Sequence, residues 1–484
     1  MFKSLVSFLQ SWAGLFSVLF ALVIFNMALF VWSNNNNFSE VQKRNGASGF
    51  GLHDASNLAY FHFYTGYFPL ASLNENLAYS KDSALAEIEE HGENLIMESS
   101  HWYRLGENAR IFALLPSAYL NKSPEYSSLR PFSSIIFTLS LLVLFFGFWQ
   151  IQYALQGFLL VLSINLTPFF LYEVYTNDNI FSLVACAFFL VLGTNMFSLF
   201  SSSYNKFILL VTSVCSAVVL GFFTEIRNEV SIVILSLLLL VAFAKRITNS
   251  TKAMYIGLVF LSFLGTKQLI RSYFENEFER TKLLVQEKGG HVYEGETLSG
   301  HLFWHPFFCG LADFDTKYGY KWNDRYAYKY AVPVLKEKYG ISLKYSGGFY
   351  ADEYYDEDKL YYKKIEEIPE YALVLKQKVL GDIFGDPLWF IKIIFKRILR
   401  TLTTTIPVPY LGWTLLPLLY YLIRKRNWTY IKLLVIALPT SLTSILIYSN
   451  SGSTYNSLFV FLIIVVFLML LKDRRKDKSG ALSD

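Results

Sequence analysis

Residues 388–405 read Leu-Trp-Phe-Ile-Lys-Ile-Ile-Phe-Lys-Arg-Ile-Leu-Arg-Thr-Leu-Thr-Thr-Thr, and the fold turns on whether this run crosses a membrane or lies on one. It is apolar enough to pass for a span, yet it carries Lys392, Lys396, Arg397 and Arg400. Each such charge at a bilayer centre costs about 3 kcal/mol on insertion scales. The spacing 392, 396, 400 predicts three cations on one helical face, with Trp389, Ile393 and Phe395 left to face lipid. Helix breakers at Pro387, Pro407 and Pro409 bracket the segment. It reads as an interfacial amphipathic helix over 388–406.

The rest of the chain has the composition of a membrane protein. It has 484 residues, 53% hydrophobic and 18% aromatic, and only 17% charged. Soluble globular chains carry roughly a quarter charged residues. Apolar blocks of spanning length fall at 8–33, 132–149, 153–172, 180–200, 207–223, 230–244, 254–270, 410–424, 428–448 and 455–471. A helix needs about 20 residues to cross the hydrocarbon core. The pattern predicts an α-helical polytopic membrane protein of about ten transmembrane helices with two mainly helical extracytoplasmic segments. The first block is too long for a signal-peptide core and lacks a small-residue cleavage site, so it reads as a retained helix.

The predicted units are a first span at 1–33, a polar stretch at 34–130 and a six-helix block at 131–270. A second polar stretch at 271–387 and the interfacial helix at 388–406 follow, then three spans at 407–471 and a basic tail at 472–484. The net charge of +5 sits partly in clusters at block ends, which points to membrane orientation and away from nucleic acid. Cys186, Cys215 and Cys309 show no metal-ligand spacing, and their odd number gives no disulfide framework.

Lysine and arginine counts orient the chain. With the N-terminus inside, Lys206, Lys245, Arg246, Lys252, Arg424, Lys425, Arg426 and the tail are cytoplasmic. The short outer loops Glu173–Asn179, Thr224–Glu229 and Ser449–Thr454 then hold Glu173, Asp178, Glu225, Glu229 and Arg227. Both polar stretches fall outside. Making 388–405 a span would send Arg424–Arg426 and the tail outside as well, against this asymmetry.

Candidate chemistry gathers on that outer side. Glu225, Arg227 and Glu229 abut apolar residues, where charge is expensive unless paired or functional. In the first stretch, His101-Trp-Tyr-Arg-Leu-Gly-Glu-Asn-Ala-Arg110 sets Arg104 and Arg110 beside Glu107. Glu107 or Glu98 would serve as a general base on a hydroxyl, and Arg104 or Arg110 as a bidentate phosphate clamp. Asp54, next to His53, is an alternative base; a surface helix with ordinary ion pairs is the competing reading. In the second stretch, His301 and His305 lie four apart, but Pro306 weakens a helical metal pair there. The density of Tyr, Trp, Asn and Asp from 299 to 324 suits sugar recognition, with His305, Asp313 and Asp315 as substrate contacts, or simply an aromatic-rich fold.

This layout, with the segment His305-Pro-Phe-Phe-Cys-Gly-Leu-Ala-Asp-Phe-Asp-Thr-Lys-Tyr-Gly-Tyr-Lys-Trp-Asn-Asp324, resembles the GT-C superfamily of polytopic glycosyltransferases, in an uncharacterised bacterial branch. The resemblance implies a polyprenyl-phosphate sugar donor, a glycan, lipid or protein acceptor, and inverting transfer by a carboxylate base on the extracytoplasmic face. The superfamily's base is usually an acid soon after the first span. Here Glu40 comes first and Asp54 next, so Asp54, Glu98 and Glu107 all stand as candidates. Asp178 and Glu173 inherit a place in acceptor or metal binding, and a divalent cation, Mg2+ or Mn2+, is compatible with the resemblance. Lys392, Lys396, Arg397 and Arg400, or Arg227, would meet the lipid phosphate. A lipid-linked glycan polymerase or ligase, and a transporter or flippase, are the alternatives. The composition fits a bacterial inner membrane, with an intracellular eukaryotic membrane as the alternative, and the Lys/Arg count puts the site toward the exterior.

Overall fold

The computed structural model describes residues 2–45, 109, 111–113, 115–116, 129–175, 182–201, 204–287, 303–346, 349–356, 359–365, 368–403, 410–447 and 462–473. The apolar blocks are helical. After α1 (Phe2–Gln10) come α2 (Trp12–Asn45), α3 (Arg130–Gln150), α4 (Ala154–Asn165), α5 (Pro168–Tyr175) and α6 (Ser182–Asn195). They are followed by α7 (Lys206–Ile226), α8 (Val233–Phe243) and the long α9 (Asn249–Glu287). Near the C-terminus lie α14 (Leu415–Arg424) and α15 (Trp428–Leu446), and residues 462–473 are helical too.

Among the described residues, five helical segments are long and apolar enough to cross a membrane: Trp12–Trp32, Arg130–Gln150, Lys206–Ile226, Asn249–Leu284 and Trp428–Leu446. The protein is therefore an α-helical membrane protein. The blocks predicted at 153–172, 180–200 and 230–244 form shorter apolar helices instead. Pro168 divides the first of these, because proline cannot continue the hydrogen-bond ladder of α4. At the end of α6, Asn195 Nδ2 donates to the Val191 carbonyl (3.1 Å) and to Ser216 (3.1 Å). Its Oδ1 accepts from Thr212 and Ser213 (3.0 Å each). This buried amide uses both of its ends, as a polar group inside an apolar bundle must.

α6 is buried on nearly every side, which suits a helix that is apolar all round. It approaches α3 through two glycines. A Cβ on Gly147 would fall 2.3 Å from the Gly193 carbonyl oxygen, and one on Gly193 would fall 2.4 Å from the Val143 carbonyl oxygen. Backbone thus meets backbone along this seam. α7 and α9 pack similarly at Gly221, where a Cβ would lie 2.8 Å from Thr266 Cβ.

The helices run up and down, so the bundle has two distinct ends. At one, Tyr153 and Tyr430 both donate to Asp473 (2.7 and 2.6 Å), Tyr255 donates to the Lys206 carbonyl (3.2 Å) and Lys432 lies over the Phe243 ring (5.5 Å). At the other, the Ala109 amide donates to the Glu225 carbonyl (3.1 Å), and α9 passes on toward Glu287. Phe112 packs there on Phe274 of α9, with ring centroids 5.6 Å apart.

The second polar stretch folds around its own core. α10 (Trp304–Leu311), α11 (Asp324–Tyr339), α12 (Pro369–Gly385) and α13 (Pro387–Thr403) surround Phe308, Leu311, Ala331, Leu335, Tyr371 and Leu375. A three-stranded antiparallel sheet in the order β1-β2-β3, with β1 Lys344–Ser346, β2 Phe349–Asp356 and β3 Lys359–Lys364, was not anticipated in a segment read as mainly helical. Its strands are rich in tyrosine, a residue type enriched in β-structure.

α13 is the helix expected at 388–406, with one face corrected. Trp389 and Ile393 do not face lipid; they are buried in the core of the second unit, where Trp389 packs on Tyr318 and Tyr320 at ring-centroid distances of 4.7 and 5.9 Å. The inward stripe recurs every fourth residue, at Trp389, Ile393, Arg397 and Thr401. The apolar stripe left outside is Leu388, Ile391, Phe395 and Ile398. Hydrophobicity is the same signal for a protein core and for lipid, so the sequence does not separate the two faces.

Candidate functional site

The candidate base residues Asp54, Glu98 and Glu107, together with Arg104, Arg110 and Asp178, lie outside the described residues. Glu173 lies on α5, one turn or less from its end. Three charged groupings can be built from the remainder.

The first is at the C-terminal end of α7. The expected trio of Glu225, Arg227 and Glu229 divides. Arg227 donates to Glu229 at 2.9 Å. Glu225 turns instead to α9, where Arg271 Nε (3.2 Å) and Lys267 Nζ (3.7 Å) meet its Oε1. Spacing along one helix could not reveal this, since the partners lie more than forty residues away.

The second grouping is on α13. Arg397, read as a lipid-phosphate contact, is fully buried and points inward. Its guanidinium donates to the carbonyls of Gly310 (2.7 Å) and Leu446 (2.8 Å), near the C-termini of α10 and α15. Asp313 lies 3.7 Å from its Nε. Burial pulls the guanidinium down to about 10, with Asp313 opposing the shift, so it stays charged at neutral pH. Arg397 thus closes two helix ends whose last carbonyls lack intrahelical partners. Asp313 is likewise spent on Arg397 and on Arg400 (3.6 Å).

Asp315 is also structural. Its carboxylate accepts from the backbone amides of Lys317 (2.8 Å), Tyr318 (3.0 Å) and Tyr320 (2.7 Å) and from the Trp389 indole (3.1 Å). Burial alone would raise its carboxyl, but these donors outweigh it and hold it below the usual carboxylate range. A depressed folded-state value means its stabilisation is full at neutral pH and fades as the pH falls through that value. Asp315→Asn should therefore lower the thermal midpoint at pH 7, with the deficit shrinking below about pH 4. Melting curves in detergent across that range check this; a pH-independent deficit would contradict it.

Lys396 and Arg400 remain on the accessible side. With Phe314, Leu399 and Thr403 they line an open groove of about 530 Å³. Both cations lie over the Phe314 ring, at 5.8 and 5.7 Å from its centroid. Lys392 is exposed one turn earlier on the same face. The groove therefore joins two positive charges to an apolar wall, beside the outward stripe of α13.

The third grouping escaped sequence reasoning. α10 carries His305 and Cys309 one turn apart, both buried, and α11 presents Asp324 from its first position. Asn323 caps α11 by accepting from the Arg325 amide (2.9 Å), which places Asp324 in its first turn. Pro306 does not prevent α10, because the first turn needs no intrahelical donor there. His305 Nε2 is 3.1 Å from Asp324 Oδ1 and 3.9 Å from Cys309 Sγ, while Sγ and Oδ1 are 4.0 Å apart. His305 Nδ1 pairs with the buried Tyr371 hydroxyl at 2.5 Å. The pairing weighed for His305 in the sequence was with His301, which lies outside the described residues. The signal that was present is the His-x-x-x-Cys spacing at 305–309.

Among the described residues, His305, Cys309 and Asp324 are the one group of three that could share a metal ion. The hard cations Mg2+ and Mn2+ prefer carboxylate, carbonyl and water oxygens, and a nitrogen–sulfur pair suits them poorly. No family model matches the sequence, and no match was found among curated proteins or solved structures.

Proposed function

We propose that the chain is a membrane glycosyltransferase that moves a sugar from a polyprenyl-phosphate-linked donor to a glycan, lipid or protein acceptor on the extracytoplasmic face. The observation that carries this reading is the groove on α13, where Lys396 and Arg400 sit beside Phe314 and Leu399. A prenyl phosphate has the matching parts: an apolar chain for the stripe Leu388, Ile391, Phe395 and Ile398, and an anion for the two cations. Lys206, Lys245 and Lys432 at the opposite end of the bundle support an extracytoplasmic groove by the positive-inside rule.

In this reading the cations hold the donor phosphate and offset the charge it gains as the glycosidic bond breaks. A carboxylate among Asp54, Glu98 and Glu107 takes the acceptor proton as its oxygen attacks C1. Glu225 is not that base, since Lys267 and Arg271 occupy it.

Removing both cations tests the assignment. Charge-assisted hydrogen bonds are worth about 1.5–3 kcal/mol each, so Lys396→Gln with Arg400→Gln should raise the KM for a prenyl-phosphate sugar by at least about tenfold. The measurement is transfer in proteoliposomes with purified donor. An unchanged KM in a folded double variant would sink the groove as the donor site.

A further inference from the structure

We propose that His305, Cys309 and Asp324 bind a zinc ion, whose fourth position is, among the described residues, left open toward solvent. The three donor atoms already form a triangle of 3.1, 3.9 and 4.0 Å. Tetrahedral zinc has bonds of about 2.0–2.3 Å to nitrogen, sulfur and oxygen, which sets donors about 3.4–3.6 Å apart. Each side of the triangle is within about half an ångström of that spacing, a difference that small side-chain rotations close.

The arrangement around the histidine is that of a metal ligand. With Nδ1–H donating to the Tyr371 hydroxyl, the Nε2 lone pair points at the space shared by Cys309 and Asp324. An outer partner on the second ring nitrogen fixes the tautomer and orientation of metal-bound histidines. A Cys–His–Asp proton relay needs a different layout, with thiol and carboxylate on opposite ring nitrogens. Here both approach Nε2, and Cys309 is too buried to meet a substrate. Convergence on one point is what a shared ion requires.

Donor chemistry selects the metal. A thiolate and an imidazole favour zinc over the hard divalent cations. His305 and Cys309 come from one face of α10, whereas the Asp324 side chain is 72% exposed. The ion would be anchored from the buried side and open at the carboxylate side. Three protein ligands with one vacant position is the pattern of zinc sites that bind a water or a substrate oxygen. This site also ties α10 to α11, and through Tyr371 to α12, independently of the donor groove.

The test is metal content of the full-length protein, purified in detergent, exposed to zinc and then freed of loose metal on a desalting column. The expected result is about one zinc per chain by mass spectrometry of the elements. Cobalt in place of zinc should give the intense thiolate-to-metal absorption of a sulfur-bound tetrahedral ion, and Cys309→Ser should abolish it. Asp324→Asn, at an exposed position, should keep the fold and weaken zinc binding by about tenfold or more, read by competition with a chromophoric chelator. Failure of the wild-type chain to retain zinc would overturn the proposal. So would full retention by both Cys309→Ser and Asp324→Asn. Neither readout depends on glycosyl transfer, so the two proposals stand or fall separately.

Discussion

Arg397→Met should cost about 3–5 kcal/mol of stability, the range found when one partner of a buried ion pair is removed. Methionine fills much of the same volume, so the loss comes from charge and hydrogen bonding rather than from a void. The carbonyls of Gly310 and Leu446 would lose their guanidinium donor, and Asp313 would lose its buried partner. Arg400, 3.6 Å from Asp313, would shield the carboxylate in part and hold the cost toward the lower end. Arg397→Lys should be only partly rescuing, since a single ammonium lacks the planar fork that reaches two carbonyls and a carboxylate together. Adding Asp313→Asn to Arg397→Met should recover part of the loss. Thermal unfolding in detergent, with limited proteolysis of the 303–403 unit, measures the series; an Arg397→Met protein as stable as wild type would refute this account.

The second large effect is at the α3–α6 seam. Gly193→Leu should prevent accumulation of folded protein. The new Cβ alone would lie 2.4 Å from the Val143 carbonyl oxygen and 2.8 Å from the Leu144 Cα, and backbone cannot step aside as a side-chain tip can. Overpacking in a core commonly costs about 1–3 kcal/mol, and a clash with backbone exceeds the usual case. Gly257→Ala is the matched control: nothing lies within 4 Å of the added carbon, so a neutral or slightly stabilising change is expected. Yield of monodisperse protein separates the two. Equal yields would show that α3 and α6 are not in close contact.

Much of the fold is legible in the sequence because apolar block length is a local property. Each of the predicted blocks contains helix, and the segment at 388–405 is helical over Pro387–Thr403. What the sequence conceals is depth. Trp389 and Ile393 look lipid-facing because burial in protein and burial in lipid demand the same side chains. The candidate site was less legible still. Arg397, Asp313 and Asp315 look like ligand contacts because charges among aromatics suggest binding, yet each is consumed in holding the chain together. The His305–Cys309–Asp324 triangle depends on α10 and α11 lying side by side, which no local spacing encodes.

At 39 residues, α9 is about 58 Å long, roughly twice the hydrocarbon thickness of a bilayer. After Gly265 it contains no glycine or proline to soften it. Glu225 grips it at Lys267 and Arg271, leaving the remaining turns beyond that grip. The turns beyond that grip are held as well: Phe274 and Phe278 are buried in the main core, and Phe112 packs on Phe274 with ring centroids 5.6 Å apart. Clamped by ions and then by aromatic rings, α9 is a post rather than a hinge, and it carries the frame of the bundle about 24 Å past Arg271.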